Sequence, residues 1–469
     1  MSMSNKYIQV IGKVSKYTDP AGERELIIFP EAPFWFIASK GGYDFINGLN
    51  GQPLEYLEGM DKSIQETLEL LLDIGAVVLA DTNDLKSDEL PINSIYSINK
   101  VFPLLGAWVN IESVCNINCK HCFLGEKKYV IDKLTPREYR VLAEDLSKLG
   151  KGNEVKVDIT GGEPLLRNDI VEIFEAFSKD GISINFITNG LLFTDNIVSY
   201  LARNKIETTI SLDGVNQQEH EFIRGLGTFQ TTYNNIVRCI NAGIPTTMSM
   251  TIHRDNQDSA IEYAKLAYRL GAEKVIFNFL NDFGNASTYG LSLPDEHRIT
   301  CELLNAAISD ANVFAMLQDT AISKLIETVM YPIRTDCCGS GINTCSVGAD
   351  GSVYPCPSFQ DEKYNAGNIR NKSIIDIWNN IETFAEHRNI DINTMNSACK
   401  KCDFRLLCGG GCRAQAYYSK DCDIRAQSSK CNDYKKTLID VIFMIHDNPI
   451  LAQLQTKEGD NFAKENEPA

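Results

Sequence analysis

The sequence predicts an α/β protein. A partial (β/α)6 barrel occupies residues 104–330, a small winged-helix-like domain precedes it at 1–80, and a cysteine-rich domain follows at 331–440. Three observations carry this. Strand-like and helix-like segments alternate six times between residues 104 and 330, the pattern of a parallel sheet wrapped by helices. Turn and polar residues gather just after the strands and not before them, at the end where barrel enzymes assemble their sites. All but Cys239 and Cys301 of the fifteen cysteines fall in two groups, at 115–122 and 337–431.

In chain order, "KYIQVIGKV", "ELIIFP" and "PFWFIAS" read as short strands. "GGYDFINGL", "PLEYLEGM" and "SIQETLELLLDIG" show helical periodicity, and "AVVLA" closes the unit. Residues 81–103 are polar and poorly periodic, so they read as a linker. The barrel strands are "GAWVNIE", "EVKVDIT", "ISINFIT", "IETTISL", "TTMSMTI" and "EKVIFNF". Amphipathic stretches such as "TPREYRVLAEDLSKLG" and "SAIEYAKLAYRLG" lie between them. After successive strands come "CNINCKHC", "GGEP", "TNG", "SLDG", "HRDN" and "NDFG". Residues 441–469 read as a C-terminal tail.

Composition narrows the class. The 469 residues are 43% hydrophobic and 23% charged, an ordinary globular balance with enough apolar material for a large core. A formal charge of −17 argues against a nucleic-acid partner. No run is long and apolar enough to span a membrane, and "MSMSNKYIQVIGK" has no signal-peptide core, so a soluble cytoplasmic protein is expected. In that setting clustered cysteines point to metal or redox chemistry, not to disulfides. Cys239 and Cys301 stand alone and read as small buried hydrophobes.

Cys115, Cys119 and Cys122 are three soft ligands with no fourth beside them. Structural zinc and a closed [4Fe–4S] cluster each want four. Three thiolates on a cluster leave one iron free for substrate or cosubstrate. The Cx3Cx2C spacing resembles the motif of the radical S-adenosylmethionine (radical SAM) superfamily. The resemblance implies that the open iron chelates the methionine part of SAM, and that reductive cleavage yields a 5′-deoxyadenosyl radical that abstracts hydrogen. Later strand ends extend the resemblance. "TGGEP" is similar to the family's GGE motif, implying a SAM contact for Gly161, Gly162 and Glu163, the glycines letting backbone come close. Ser211 matches the position that binds the ribose, and Arg224 the arginine that pairs with the SAM carboxylate.

The second group contains "CKKCDFRLLCGGGC", a Cx2Cx5Cx3C run, with "CCGSGINTCSVGADGSVYPC" upstream and Cys431 downstream. It resembles the SPASM extension of radical SAM peptide-modifying enzymes, which carries two auxiliary [4Fe–4S] clusters. That resemblance assigns Cys338, Cys345, Cys356 and Cys412 to the first and Cys399, Cys402, Cys408 and Cys431 to the second. Cys337 stands as a substitute for Cys338, and Cys422 for Cys431. With eight ligands both clusters would be closed.

Residues 1–80 resemble the PqqD-like element that binds leader peptides, which implies a leader lying beside "PFWFIAS" and "SIQETLELLLDIG". The full order resembles maturases of sactipeptides and ranthipeptides, with "ISLDG", "IRG" and "NDFG" close to the subtilosin type. These join a cysteine sulfur to carbon as a thioether, so a precursor peptide and a reducing partner such as flavodoxin or ferredoxin are expected. A carbon–carbon crosslink or an epimerisation would use the same first radical. The anaerobic sulfatase maturases share barrel and SPASM, but place an aspartate after "YPC" where this chain has Pro357. An iron–sulfur carrier without catalysis would leave "GGEP", Ser211 and Arg224 without a role.

Overall fold

The computed structural model describes residues 6–455 apart from 33, 58, 82–101, 126–129, 179–180, 331–337, 393 and 420–421. Most of the linker read at 81–103, and Cys337, therefore lie outside the described residues.

Five short strands belong to the first unit: β1 (Tyr7–Val10), β2 (Ser15–Thr18), β3 (Arg24–Phe29), β4 (Phe34–Ser39) and β5 (Val77–Ala80). β2, β3 and β4 form an antiparallel sheet in that order, leaving β4 at an edge, while β1 pairs with β5. "KYIQVIGKV" holds one strand, β1, which covers only its first half. The chain turns at Gly12, whose φ of 66° suits glycine, and β2 starts beyond it. The helix Lys62–Asp73 begins where the Asp61 carboxylate accepts from the Ser63 amide at 2.8 Å. Its Leu68 and Leu71 join Ile8, Phe29 and Val77 in a core that belongs to this unit alone.

The barrel strands are β6 (Gly106–Glu112), β7 (Val155–Gly161), β8 (Ile182–Thr188), β9 (Glu207–Ser211), β10 (Thr246–Ile252) and β11 (Lys274–Phe279), all parallel. They match the expected six within a residue at each end. Strand alternation decides their two faces. On β6, Ala107, Val109 and Ile111 are fully buried with the helix residues, whereas Asn110 and Glu112 line a cavity on the other side. The helix Pro136–Leu149 shows the local code well. Proline sits at its start, Thr135 and Glu138 form a reciprocal capping box, and Tyr139, Leu142, Ala143, Leu146 and Leu149 bury one face.

The cysteine-rich region does more than follow the barrel. Its β12 (Thr344–Val347) adds to β6 in parallel, and β13 (Val353–Tyr354) pairs antiparallel with β12. The sheet therefore has eight strands, in the order β11-β10-β9-β8-β7-β6-β12-β13. The helix Cys431–Asp447 runs through the boundary read at residue 440. Leu438, Val441 and Ile442 on it, and Leu451 and Leu454 beyond it, are fully buried in the main core. The start of the supposed tail is therefore structural.

The first unit is seated on the cysteine-rich region. Lys13 pairs with Asp403 at 2.7 Å, the Tyr17 hydroxyl donates to the same carboxylate at 2.7 Å, and Glu31 pairs with Arg405 at 2.7 Å. The Tyr17 and Phe404 rings lie 5.5 Å apart. Among the described residues no helix is long and apolar enough to cross a membrane.

Candidate active site

The loop carrying Cys115, Cys119 and Cys122 leaves the end of β6 and is held by the ends of the other strands. The Asn189 side-chain Nδ2 after β8 donates to the Asn116 side-chain oxygen at 2.7 Å and lies 3.8 Å from the Cys115 sulfur. The Lys120 amide donates to the Ile223 carbonyl at 3.0 Å. After β11, the Asn285 amide donates to the Cys122 carbonyl at 2.9 Å and its side chain to the Cys119 carbonyl at 3.0 Å. Backbone groups of the loop are thus paired from several sides, which holds the thiols in place without using them.

Asp213, two residues beyond Ser211, organises the next layer. One carboxylate oxygen accepts from His121 at 2.7 Å and from Arg224 at 2.6 Å, and the other from the Thr251 amide at 2.7 Å. Burial alone would push this fully buried carboxyl up. The Arg224 guanidinium and His121 outweigh that and hold it well below the usual carboxylate range. Arg224 Nη1 lies 4.0 Å from the Cys119 sulfur. Burial pushes the Cys119 thiol up to about 11, with Arg224 pulling the other way. Arg224 therefore stands beside the cysteine loop, held there by Asp213. Ser211 is half-buried at the end of β9, opposite Ser249 of β10.

The GGE turn has a local cause. A Cβ on Gly162 would lie 1.9 Å from the Val114 carbonyl oxygen, and one on Gly161, at φ 153°, would lie 2.4 Å from the Glu112 carbonyl oxygen. The glycines let this turn close against the backbone entering the cysteine loop. Glu163 is fully buried and accepts from the Leu165 amide, the Thr188 hydroxyl and the Asn189 amide at 2.7–3.0 Å. It joins two strand ends; burial pushes its carboxyl up despite those three donors.

A cavity of about 380 Å³ runs from the segment after Cys122 to the segment after Cys356. Phe123, Phe283 and Tyr418 form an aromatic wall, and Asn110, Glu112 and Asp350 a polar one. Glu112 is paired with Lys133 at 2.6 Å. Pro357 also lines the cavity, so the place after "YPC" faces this space with no proton acceptor.

The C-terminal thiols sort into two sets. Cys399, Cys402, Cys408 and Cys431 line one cavity of about 520 Å³, which Cys412 also lines. Burial, then Cys402 and Cys431, push the Cys408 thiol up to about 12. Cys338, Cys356 and Cys412 form the other set: burial, with Cys338 and Cys412 adding to it, raises the Cys356 thiol. Cys345 does not join them. It sits opposite Ala107 on β12, fully buried in the main core, and burial alone pushes its thiol up to about 12. Cys345 thus lies apart from the other thiols read for the first auxiliary site, and Cys337, also read as a candidate there, lies outside the described residues. The described residues there supply three. The exposed Cys422 is outside the second set. Among the described residues no three thiols lie within 4.8 Å of one another, as they would around one zinc ion.

Comparison with known proteins agrees with this chemistry. Residues 109–267 match the radical SAM superfamily, and residues 337–403 match SPASM, an iron–sulfur cluster-binding domain. The chain is 30% identical over 332 residues to the AdoMet-dependent heme synthase of Methanosarcina barkeri, covering 67% of this chain and 92% of that protein. It is 26% identical over 353 residues to the antilisterial bacteriocin subtilosin biosynthesis protein AlbA of Bacillus subtilis, covering 71% and 73% respectively. The crystal structure of Streptococcus suis SuiB bound to precursor peptide SuiA shares the fold at a TM-score of 0.56 and 16% identity, covering 92% of this chain and 99% of that one. The chain belongs to the radical SAM superfamily: it is an enzyme that binds S-adenosylmethionine and a [4Fe–4S] cluster, with a SPASM domain for auxiliary iron–sulfur clusters.

Proposed function

We propose that this enzyme matures a ribosomally made precursor peptide by joining a cysteine sulfur to carbon as a thioether. The observation that carries the reading is the edge of β4, unpaired by any strand among the described residues, beside the helix Lys62–Asp73. Between them lies a cavity of about 420 Å³, lined by Phe36, Ala38, Phe45, Ile64 and Leu68 among others. An edge strand offers unpaired backbone groups, and a neighbouring apolar groove offers side-chain pockets. Together they suit an extended peptide that adds a strand. The heme synthase and AlbA comparisons leave about a third of this chain unmatched, whereas the likeness to SuiB covers nearly all of it.

In this reading residues 1–80 hold the leader, and the core peptide enters the cavity between Phe123 and Tyr418. When bound, the cluster and SAM supply a carbon radical that removes a hydrogen atom. Cys115, Cys119 and Cys122 hold that cluster, with Gly161, Gly162, Glu163, Ser211 and Arg224 around the cosubstrate. Cys338, Cys356, Cys412 and the set Cys399, Cys402, Cys408 and Cys431 hold the auxiliary clusters. Flavodoxin or ferredoxin serves as reductant, and the setting is the cytoplasm.

The test is coexpression with any short cysteine-rich peptide found encoded beside the gene, and mass spectrometry of the product. Each thioether removes two hydrogens and one alkylatable thiol. Loss of two hydrogens with every thiol still alkylatable would mean a carbon–carbon link, and an unchanged mass with an inverted centre an epimerisation. Deleting residues 1–80 is expected to abolish leader binding while SAM cleavage persists. Normal crosslinking by the truncated enzyme would refute the leader assignment.

A further inference from the structure

Of the two cysteines that stand alone in the sequence, Cys239 is fully buried in the main core, as a small hydrophobe should be. Cys301 is not. It is half-buried on the helix Glu296–Ser309, one turn after His297, and faces Asp440 of the helix Cys431–Asp447. His297 Nε2 lies 2.7 Å from an Asp440 oxygen and 3.7 Å from the Cys301 sulfur. All three donor atoms lie within 4.8 Å of one another. We propose that His297, Cys301 and Asp440 form a site for one divalent cation of the zinc type, separate from the iron–sulfur sites.

The argument is one of convergence. A nucleophile triad would place the carboxylate on Nδ1 and the thiol on Nε2, so that the imidazole relays between them. Here both partners meet the same nitrogen. Nε2 carries at most one proton and can serve one partner as donor, so the other is left over. A cation takes a lone pair from all three. One imidazole nitrogen, one sulfur and one carboxylate oxygen make a donor set for zinc, not for magnesium or calcium, and leave a fourth position for water. Thiolate and carboxylate together cancel two positive charges, so the loaded site carries no excess charge against the exposed Lys436 nearby. The spacing of His297 and Cys301 by one helical turn places both donors on one face.

The site joins the helix Glu296–Ser309 to the helix that begins at Cys431. Asp440 is roughly 13 Å along that helix from Cys431, from the rise per residue, too far to share its cluster. A bound ion would therefore brace the base of the second auxiliary site against the barrel.

The experiment uses the reconstituted holoenzyme, incubated with zinc chloride and freed of excess by gel filtration. Zinc and iron are counted on the same sample, and the zinc X-ray absorption edge is recorded. About one zinc per chain is expected, in a mixed shell of nitrogen, oxygen and a single sulfur. Cys301→Ser and Asp440→Asn should lose it with iron unchanged, while Cys239→Ser keeps it. The proposal fails if no zinc is retained, if the shell is mainly sulfur (zinc held by cluster thiols), or if both site variants keep the metal. Should the variants not fold, the wild-type spectrum alone decides, because cluster thiols cannot supply the nitrogen–oxygen shell.

Discussion

Cys345 and Cys356 are the same residue type in the same motif, and the fold separates them. Cys356 is next to Cys338 and Cys412, while Cys345 packs with Ala107 and Val347 on a strand. Replacing Cys356 with Ala is expected to remove one cluster's share of iron. Replacing Cys345 with Ala should leave the iron content at the wild-type level and cost about 1–2 kcal/mol of stability from lost packing. Iron analysis and urea unfolding on matched preparations check both, and iron loss in the Cys345 variant would return it to the ligand set. The same separation of chemistry from position appears at Asp213. Ser211 and Arg224 carried the motif, yet it is Asp213 that ties Arg224 to His121 of the cysteine loop. Its signal was in view, because "SLDG" places an acid two residues after the serine, but its partners come from other elements.

At the scale of elements, regular periodicity was legible and short aromatic structure was not. The helix Ala385–Arg388 is only four residues long and has no sequence pattern to announce it. It stands because His387 packs edge-on against Phe359 and Tyr364, with ring centres 4.8 and 4.9 Å away. Burial, helped by Lys363, lowers the His387 pKa to about 3, so the folded protein keeps this imidazole neutral. The unfolded chain takes up a proton below about pH 6.5 that the folded one refuses until about pH 3. Stability from this residue is therefore lost as pH falls through that window, by at most about 1.4 kcal/mol per pH unit. His387→Phe keeps the ring contacts and removes the titration. In urea unfolding at pH 7.5 and 5.5, wild type should lose about 1 kcal/mol more than the variant. Equal losses would show that His387 is solvated in the native state.

At the scale of the whole molecule, the first unit and the cysteine-rich region meet at the loop that supplies Cys402. Asp403, the next residue, accepts from Lys13 and Tyr17, and Arg405 pairs with Glu31 while donating to the Cys402 carbonyl at 3.0 Å. A carboxylate with one-tenth of its side chain exposed and two donors contributes about 1–3 kcal/mol to this seating. Asp403→Ala should therefore raise amide hydrogen exchange in β2 and β3 while leaving the barrel strands unchanged. Unaltered exchange in β2 and β3 would mean that the apolar Tyr17–Phe404 contact alone seats the unit.

The sequence by itself determined the barrel strands, the face on which their chemistry gathers, and the cysteine loop at 115–122. All of these depend on local properties: a period of two or of 3.6, a capping pair, and ligands a few residues apart. Only the tertiary structure decided that the cysteine-rich region extends the barrel sheet through β12, that the helix Cys431–Asp447 runs past residue 440, and that Cys345 faces the main core. It also brought Asp440 to His297 and Cys301, which already share one helical face. These outcomes turn on which face of an element meets a partner distant in the chain. The edge of β6 was free to take a strand, and once "TCSV" paired there, its alternation turned Cys345 toward the core side that Ala107 shares.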